Sequence, residues 1–122
     1  MNIKEHIFKA EAIERSLERL TPADYEIVIE ACMLAGTHWF NIILHAGKVF
    51  STEEDVMHAE FMTLADRRKA AVICATSLNS MDVIEAMRTT HVRGDLPYGE
   101  AAASLALEHL EGVRKKAYSL LG

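Results

Sequence analysis

The chain contains 122 residues, half of them apolar and a quarter charged. This length suits one domain, which we expect to span residues 1–122, and the composition is that of a globular protein. Thirteen Lys and Arg against eighteen Asp and Glu give a formal net charge of −5. A net-acidic chain argues against broad binding to a nucleic-acid backbone, although it is compatible with a local basic patch.

The N-terminal sequence does not resemble a signal peptide, because charged and apolar residues alternate without a continuous apolar core. The longest apolar-leaning stretch, Ala31–Phe50, is interrupted by polar residues and falls short of the about 20 apolar residues of a membrane span. We therefore expect a cytoplasmic protein without a membrane partner. Cys32 and Cys74 are too few for a disulfide scaffold or a Cys-rich zinc module, and we expect both to be reduced and buried.

The first half of the chain predicts two helices. Apolar residues spaced by three and four predict an amphipathic helix from Ile3 to Leu20. Thr21 suits an N-cap and Pro22 a first helical position, so a second helix is predicted from there to about Val49. One face of it carries Tyr25, Ile29, Cys32, Trp39 and Ile43, and the opposite face carries Ile27, Leu34, His38, Asn41 and His45. We expect a helix with apolar residues on two faces to be central in a bundle or shared with a second subunit.

The second half begins with a long helical pattern. Ser51 and Glu54 have the spacing of a capping box, which predicts a helical stretch from Thr52 to Arg93. Because about 40 residues exceed one ordinary helix, we expect a break in this stretch. Two places favour it, residues 65–68 and residues 78–80.

The last helix is predicted from Gly99 to Leu121, after a loop at Arg93–Gly99. Its expected buried stripe comprises Ala102, Leu105, Ala106, Leu110, Val113, Ala117, Leu120 and Leu121. Sustained strand patterns and hairpin turn pairs are absent from the sequence. The fold class is therefore all-α, an up-and-down bundle of four principal helices, or five if the third pattern breaks.

The most distinctive polar feature is a trio of side chains on the second helix. His38, Asn41 and His45 are spaced by three and four residues, which places them on one helix face. They suit a small-ligand or metal site to which His58 or an acidic residue at 54–55 could contribute. The two imidazoles of the trio are about 10.5 Å apart along the axis, so one ion rarely contacts both. Spacing alone assigns no metal and no cofactor, and hydrogen bonding within a helix interface explains the same residues.

A second candidate site consists of basic residues. Arg67 and Arg68 are adjacent, and Arg88 and Arg93 lie beside the loop that precedes the last helix. Together they could hold a phosphate or an acidic partner, and a solvated basic surface is the alternative interpretation. A glycine-rich phosphate loop, a nucleophile elbow and a Cys-x-x-Cys motif are all absent.

Several segments resemble the HEPN domains, a family of small helical domains. These segments are Tyr25–His45, the Asp55-x-x-His58 pair, Ile84–Arg88 with Val92–Asp95, Glu100-Ala101 and Ala106–Leu121. The resemblance implies a bundle of four or five helices that forms homodimers. It also implies a non-catalytic binding or interaction module, for example a protein partner of a nucleotidyltransferase.

Other HEPN proteins are ribonucleases, whose motif is an arginine followed after four to six residues by a histidine. Here His91 follows Arg88 after only two residues, and no other arginine has a histidine at the required distance. Arg88 and His91 could still meet at i, i+3 and donate hydrogen bonds to a phosphate. The sequence thus supports three hypotheses: a homodimeric interaction module, an RNA-cleaving enzyme that uses this pair, and a small-ligand or metal site at His38, Asn41 and His45.

Overall fold

The computed structural model describes residues 1–122 and contains helices without strands, which confirms the all-α prediction. The four principal helices are α1 (Ile3–Leu17), α2 (Tyr25–Ala46), α3 (Leu64–Met87) and α4 (Glu100–Leu120). A 3₁₀ turn at Pro22–Asp24 leads into α2, a second lies at Ala59–Phe61, and a π-helical turn at Arg88–Arg93 extends α3. The predicted bundle of four helices is the observed architecture.

Helix α2 occupies the centre of the bundle, as its two apolar faces predict. It packs against α1, α3 and α4, and its residues 39–44 are all buried. Gly36 allows α3 to approach closely, because a Cβ atom at this position would lie 3.0 Å from the sulfur of Met81. Ile27 and Leu34, on the second of these faces, are 61% and 45% exposed. Part of the second face of α2 is therefore uncovered within one chain.

The connection between α2 and α3 is longer than predicted. Helix α3 begins at Leu64, with Thr63 as its N-cap, rather than at Thr52. The Ser51–Glu54 pair forms an isolated turn in which the Glu54 N–H donates to the Ser51 carbonyl. The prediction of a helix start there was wrong.

Tertiary hydrogen bonds explain why this connection is not helical. The N–H and C=O groups of Val56 are both bonded to the side chain of Asn41 on α2, at 2.7 and 2.8 Å. Backbone groups that are bonded to another helix cannot also form the ladder of their own helix. The local capping signal is thus overridden by contacts with α2.

Helix α3 continues through both predicted break points. Residues 65–68 and 78–80 are helical, and the irregular backbone lies instead at Cys74, where φ is −150° and ψ is 52°. The break in α3 was therefore predicted at the wrong place.

In α4, four residues of the predicted stripe are fully buried, whereas Leu105 and Leu121 are 41% and 38% exposed. The buried stripe of α4 was therefore predicted too wide.

Both cysteines are buried, as predicted, with exposed fractions of 0% for Cys32 and 4% for Cys74. Burial raises the pKa of the Cys32 thiol to about 12, and burial also raises the pKa of the Cys74 thiol. Since the thiolate is the reactive form, neither side chain is suited to nucleophilic chemistry at neutral pH.

Two helical stretches, Pro22–Ala46 and Leu64–Arg93, are long and apolar enough to cross a membrane by length and composition alone. Within the bundle, 67% of the apolar window of the first stretch and 44% of that of the second are buried. The core helix of a soluble protein passes the same test, so these stretches are weak evidence for a membrane location.

Candidate metal-binding site

Three side chains from separate parts of the chain converge beside α2. Nε2 of His6, on α1, and Nε2 of His45, in the last turn of α2, each lie 2.9 Å from the same atom, Oδ1 of Asp55. Both histidines are buried, with exposed fractions of 2% and 7%, whereas the Asp55 side chain is 28% exposed. The three ligand atoms lie within 4.8 Å of one another. We call His6, His45 and Asp55 the His-His-Asp triad.

The first turn of α1 fixes the position of His6. Asn2 and Glu5 form a capping box, in which each side chain accepts a hydrogen bond from the backbone N–H of the other residue. His6 follows this box directly and lies 2% exposed against α2. A rigid helix start therefore holds the imidazole in place.

Asn41 fixes the position of Asp55. Its Oδ1 accepts a hydrogen bond from the Val56 N–H, and its Nδ2 donates to the carbonyl groups of Val56 and Thr37 at 2.8 and 2.9 Å. The side chain is 1% exposed. Because both ends of the amide are bonded to backbone groups, Asn41 positions the neighbouring Asp55 and is not itself free to bind a ligand. For Asn41 these contacts match the alternative interpretation of the trio, hydrogen bonding within a helix interface.

A second layer of contacts surrounds the triad. Nδ1 of His45 faces the carbonyl oxygen of Phe50 at 3.2 Å. Nδ1 of His6 lies 2.9 Å from Nδ1 of His38. Oδ2 of Asp55 accepts a hydrogen bond from the amino group of Met1 at 3.1 Å. His38 thus lies behind His6 and shares no ligand position with His45, in agreement with their spacing along α2.

The charges in the triad follow from burial and hydrogen bonding. Burial opposes ionisation of Asp55, but hydrogen bonds from His6, His45 and the Met1 amino group outweigh it and lower the Asp55 pKa to about 2. Burial lowers the pKa of His6 despite its hydrogen bond to Asp55, and burial also lowers the pKa of His38. An ionised carboxylate therefore lies beside an imidazole whose neutral form is favoured, and metal ligands require these protonation states.

The triad borders a small cleft with a volume of about 210 Å³. The polar part of its wall comes from His6, Thr37, His38, Asn41, Asp55 and His58, and the apolar part from Met1, Met33, Leu34, Val56 and Met57. No lysine or arginine lines this cleft. A larger groove of about 420 Å³ between α3 and α4 contains neither a histidine nor a carboxylate. The small cleft is therefore the one of these two spaces that is lined by imidazole and carboxylate groups.

His58 also belongs to a second polar network. Its Nδ1 lies 2.8 Å from Oε1 of Glu85, whose side chain is only 4% exposed. Nη1 of Arg88 lies 3.7 Å from the other oxygen of Glu85, and Nε of Arg88 donates to Glu30. His58, Glu60 and Glu85 are also close enough together to hold an ion. Arg88 already supplies a positive charge to Glu85, so the triad is the stronger candidate for a cation site.

The four arginines predicted to hold a phosphate have separate environments. Arg67 forms an ion pair with Asp82 across the kink of α3 at Cys74, and Arg88 pairs with two carboxylates. Arg68 and Arg93 are exposed. Carboxylates therefore already neutralise half of this set, and its members do not form one free basic site.

Arg88 and His91, the pair predicted for RNA cleavage, each form contacts with other residues. Nδ1 of His91 lies 2.9 Å from the Leu96 carbonyl oxygen, and its ring packs edge-on against Tyr25. Arg88 is turned toward the carboxylates of the bundle. The two side chains share no hydrogen bond, so the structure offers no preformed phosphate site between them.

Two residues of these networks, His6 and Glu85, were not predicted from the sequence as site residues. His6 lies three residues after Ile3 and four before Ala10, on the apolar stripe of α1, where a histidine is unusual. Glu85 lies four residues after the buried Met81, on the inner face of α3. In both cases the sequence shows a polar residue inside an apolar stripe. Such a residue is expected to be buried and hydrogen-bonded, but the sequence does not show which residue is its partner.

Comparison with protein-family models, with curated proteins and with solved structures found no match for this chain. The HEPN-like resemblance therefore stays a prediction, as do the roles that it implies. A functional proposal depends on the geometry of the triad and of the cleft beside it.

Proposed function

We propose that this protein is a metal-binding helical bundle in which His6, His45 and Asp55 bind one divalent cation. Two imidazole nitrogens and one carboxylate oxygen form a ligand set that is common to zinc and to non-haem iron. Zn²⁺ fits best, because its catalytic sites combine three protein ligands with a fourth position for water or substrate. The proposal develops the metal-site hypothesis with His6 as a new ligand, and His38 and Asn41 lie behind the ligands.

The hydrogen-bonding capacity of His45 is the observation that carries the proposal. Nδ1 of His45 faces the Phe50 carbonyl oxygen at 3.2 Å and Nε2 faces Oδ1 of the Asp55 carboxylate at 2.9 Å, and both oxygens can only accept. A neutral imidazole has one N–H and can donate to only one of them, so when Nδ1 donates to Phe50, Nε2 directs its lone pair at Oδ1 of Asp55. Two lone pairs repel at this distance unless positive charge lies between them. A cation bound by both atoms supplies that charge.

The surroundings of the triad match those of metal-ligating histidines. In such sites the outer ring nitrogen usually donates to a carbonyl, a carboxylate or another fixed acceptor. His45 donates to the Phe50 carbonyl, and His6 can donate to His38 at 2.9 Å. The partly exposed side chain of Asp55 lines the cleft, so a small ligand can reach the remaining position of the metal.

Zinc titration by calorimetry, with native mass spectrometry for the stoichiometry, tests the proposal. We expect one Zn²⁺ per chain, and we expect His45→Ala and Asp55→Ala to raise the Kd by more than about 100-fold, the upper end of losses caused by changes behind the ligands. His109→Gln is the matched control, because His109 contacts Ser80 and not the triad. If the folded wild-type protein binds no zinc, a proton on His45 supplies the positive charge and the proposal is wrong.

An exposed apolar patch favours a second role, self-association. Leu34 and Met57 border the cleft and are 45% and 74% exposed, and Phe61, beside the ring of His58, is 76% exposed. Clustered apolar side chains of this kind mark interaction surfaces. We propose that Phe61 and the exposed side of Met57 form the homodimer contact that the HEPN-like resemblance implies, with Leu34 left at the opening of the cleft.

Light scattering at several protein concentrations tests the dimer. We expect twice the monomer mass of 13.6 kDa for the wild-type protein and the monomer mass for Phe61→Glu. Val72→Glu, an exposed change on the outer side of α3, is the matched control. A wild-type protein that stays monomeric throughout would contradict this role and leave the metal site unaffected.

A further inference from the structure

A buried carboxylate defines the protonation of His58. Nδ1 of His58 lies 2.8 Å from Oε1 of Glu85, which is 3% exposed and has the Arg88 guanidinium at its other oxygen. Because a carboxylate can only accept, Nδ1 of His58 carries the proton in this contact. Nε2 of the neutral ring consequently keeps its lone pair.

Nε2 of His58 forms no hydrogen bond within the protein. Nδ1 provides the one hydrogen bond of the His58 ring, the side chain is 23% exposed, and His58 lines the cleft together with His6 and Asp55. A histidine that a carboxylate holds at one ring nitrogen, and whose other nitrogen has no protein partner, has the arrangement of a general base.

We infer that His58 is the general base of a hydrolytic site in this cleft, and that Glu85 is its positioning residue. The inference rests on the proposed metal site, which supplies the Lewis acidity that makes water a better nucleophile. A water molecule transfers one proton to Nε2 of His58 while its oxygen bonds to the carbonyl carbon of an ester. The bond from that carbon to the alcohol oxygen then breaks, and the departing alcohol takes the proton from His58. The products are a carboxylic acid and an alcohol.

The lining of the cleft indicates the class of substrate. Its volume of about 210 Å³ is below the roughly 300–1,000 Å³ of pockets for drug-sized molecules, so it admits only a small group. Met33, Leu34 and Val56 supply an apolar wall. We therefore assign an uncharged ester with a short acyl chain.

The tautomer of His58 tests the inference without any metal. Long-range ¹H–¹⁵N correlation spectra of the metal-free protein distinguish the two ring nitrogens. We expect the proton of His58 on Nδ1 in the wild-type protein and loss of this preference in Glu85→Gln, whose amide can donate as well as accept. A wild-type His58 with its proton on Nε2 would overturn the inference.

Kinetics with phenyl esters of increasing acyl length provide the second test. For the zinc-loaded protein we expect hydrolysis of phenyl acetate and butyrate, and little hydrolysis of phenyl dodecanoate. His58→Gln should lower kcat/KM by about 10²- to 10⁴-fold, and Glu85→Gln should lower it less and shift the pH profile. His109→Gln is the control. Equal rates in His58→Gln and the wild-type protein, or no hydrolysis by a folded and zinc-loaded wild-type protein, would overturn the inference.

Zinc content separates this inference from the proposed function. We expect His58→Gln to keep one Zn²⁺ per chain, because His58 is not a member of the triad. A protein that binds zinc at the triad without hydrolysing esters overturns only the hydrolytic role. A folded wild-type protein that binds no zinc overturns the metal site, and with it the hydrolytic role that rests on it.

Discussion

The Nδ1 atoms of His6 and His38 lie 2.9 Å apart, so a ring-to-ring hydrogen bond joins α1 to α2. One ring must donate in this contact and the other must accept. If Nε2 of His6 binds a cation, its proton is on Nδ1 and His38 is the acceptor. The metal site and this hydrogen bond are therefore coupled, although His38 touches no metal.

This coupling predicts the effect of changing His38. His38→Ala removes the acceptor, so we expect the Kd for zinc to rise by about 10- to 100-fold, the range for residues behind a metal ligand. His38→Gln keeps an acceptor oxygen and should lose less. Calorimetric titration of both variants checks the prediction, and equal affinity in His38→Ala and the wild-type protein would show that the ring-to-ring bond does not support the ligand.

Asn41 should matter for stability and for zinc. Asn41→Ala leaves the N–H and C=O groups of the half-buried Val56 without their partners, so we expect the free energy of unfolding to fall by about 2–3 kcal/mol. Zinc affinity should also fall, because Asp55 is adjacent to Val56. Urea unfolding measures the first effect, with the exposed Asn79→Ala as its control. A loss no larger than that of Asn79→Ala would contradict the role of Asn41 as a clamp.

Zinc should stabilise the folded protein by mass action. At a free concentration 100 times the Kd, a ligand that binds only the folded state adds about 2.7 kcal/mol. We therefore expect the Tm to rise with zinc and to return to its starting value when a chelator removes the metal. His45→Ala should show no such rise, and an equal rise in that variant would place the zinc elsewhere.

Arg88 should be a structural requirement for Glu85. Arg88→Met leaves Glu85 buried without its positive partner, and removing one member of a buried pair costs about 3–5 kcal/mol. The double variant with Glu85→Gln should be more stable than Arg88→Met alone, because it no longer buries an unpaired charge. Chemical unfolding of the three variants measures this coupling, and strictly additive effects would contradict it.

The two thiols should be unreactive in the folded protein. Burial raises the pKa of Cys32 to about 12, so almost no thiolate exists at pH 8. Burial shifts the pKa of Cys74 in the same direction. We expect a chromogenic disulfide reagent to label no cysteine in the native protein and two after denaturation. Rapid labelling of the native protein would show that the bundle opens easily around α2.

Much of the fold could be predicted because helix periodicity and capping residues are local properties. The apolar spacing located α1, α2 and α4 within three residues at each end, and Thr21 and Pro22 marked the turn before α2. The start of α3 was wrong, because Asn41 binds the backbone of Val56 from 15 residues away. Local patterns hold no information on such tertiary bonds.

The candidate site was predicted only in part. Spacing on α2 identified His45, and the charged segment before α3 included Asp55 among the further ligands considered. His6 could not be connected with them, because it lies 39 residues before His45 and meets it only through the packing of α1 against α2. The helix face carrying the histidines was visible in the sequence, whereas the partner across the interface depends on how the helices pack.

The most direct test of the central claim is the position of the metal itself. A crystal of the zinc-loaded protein, with anomalous data collected at the zinc edge, would locate each bound ion. We predict one strong peak at about 2.0–2.2 Å from Nε2 of His6, Nε2 of His45 and a carboxylate oxygen of Asp55. A peak elsewhere, or a triad that keeps its direct hydrogen bonds in the presence of zinc, would contradict the account.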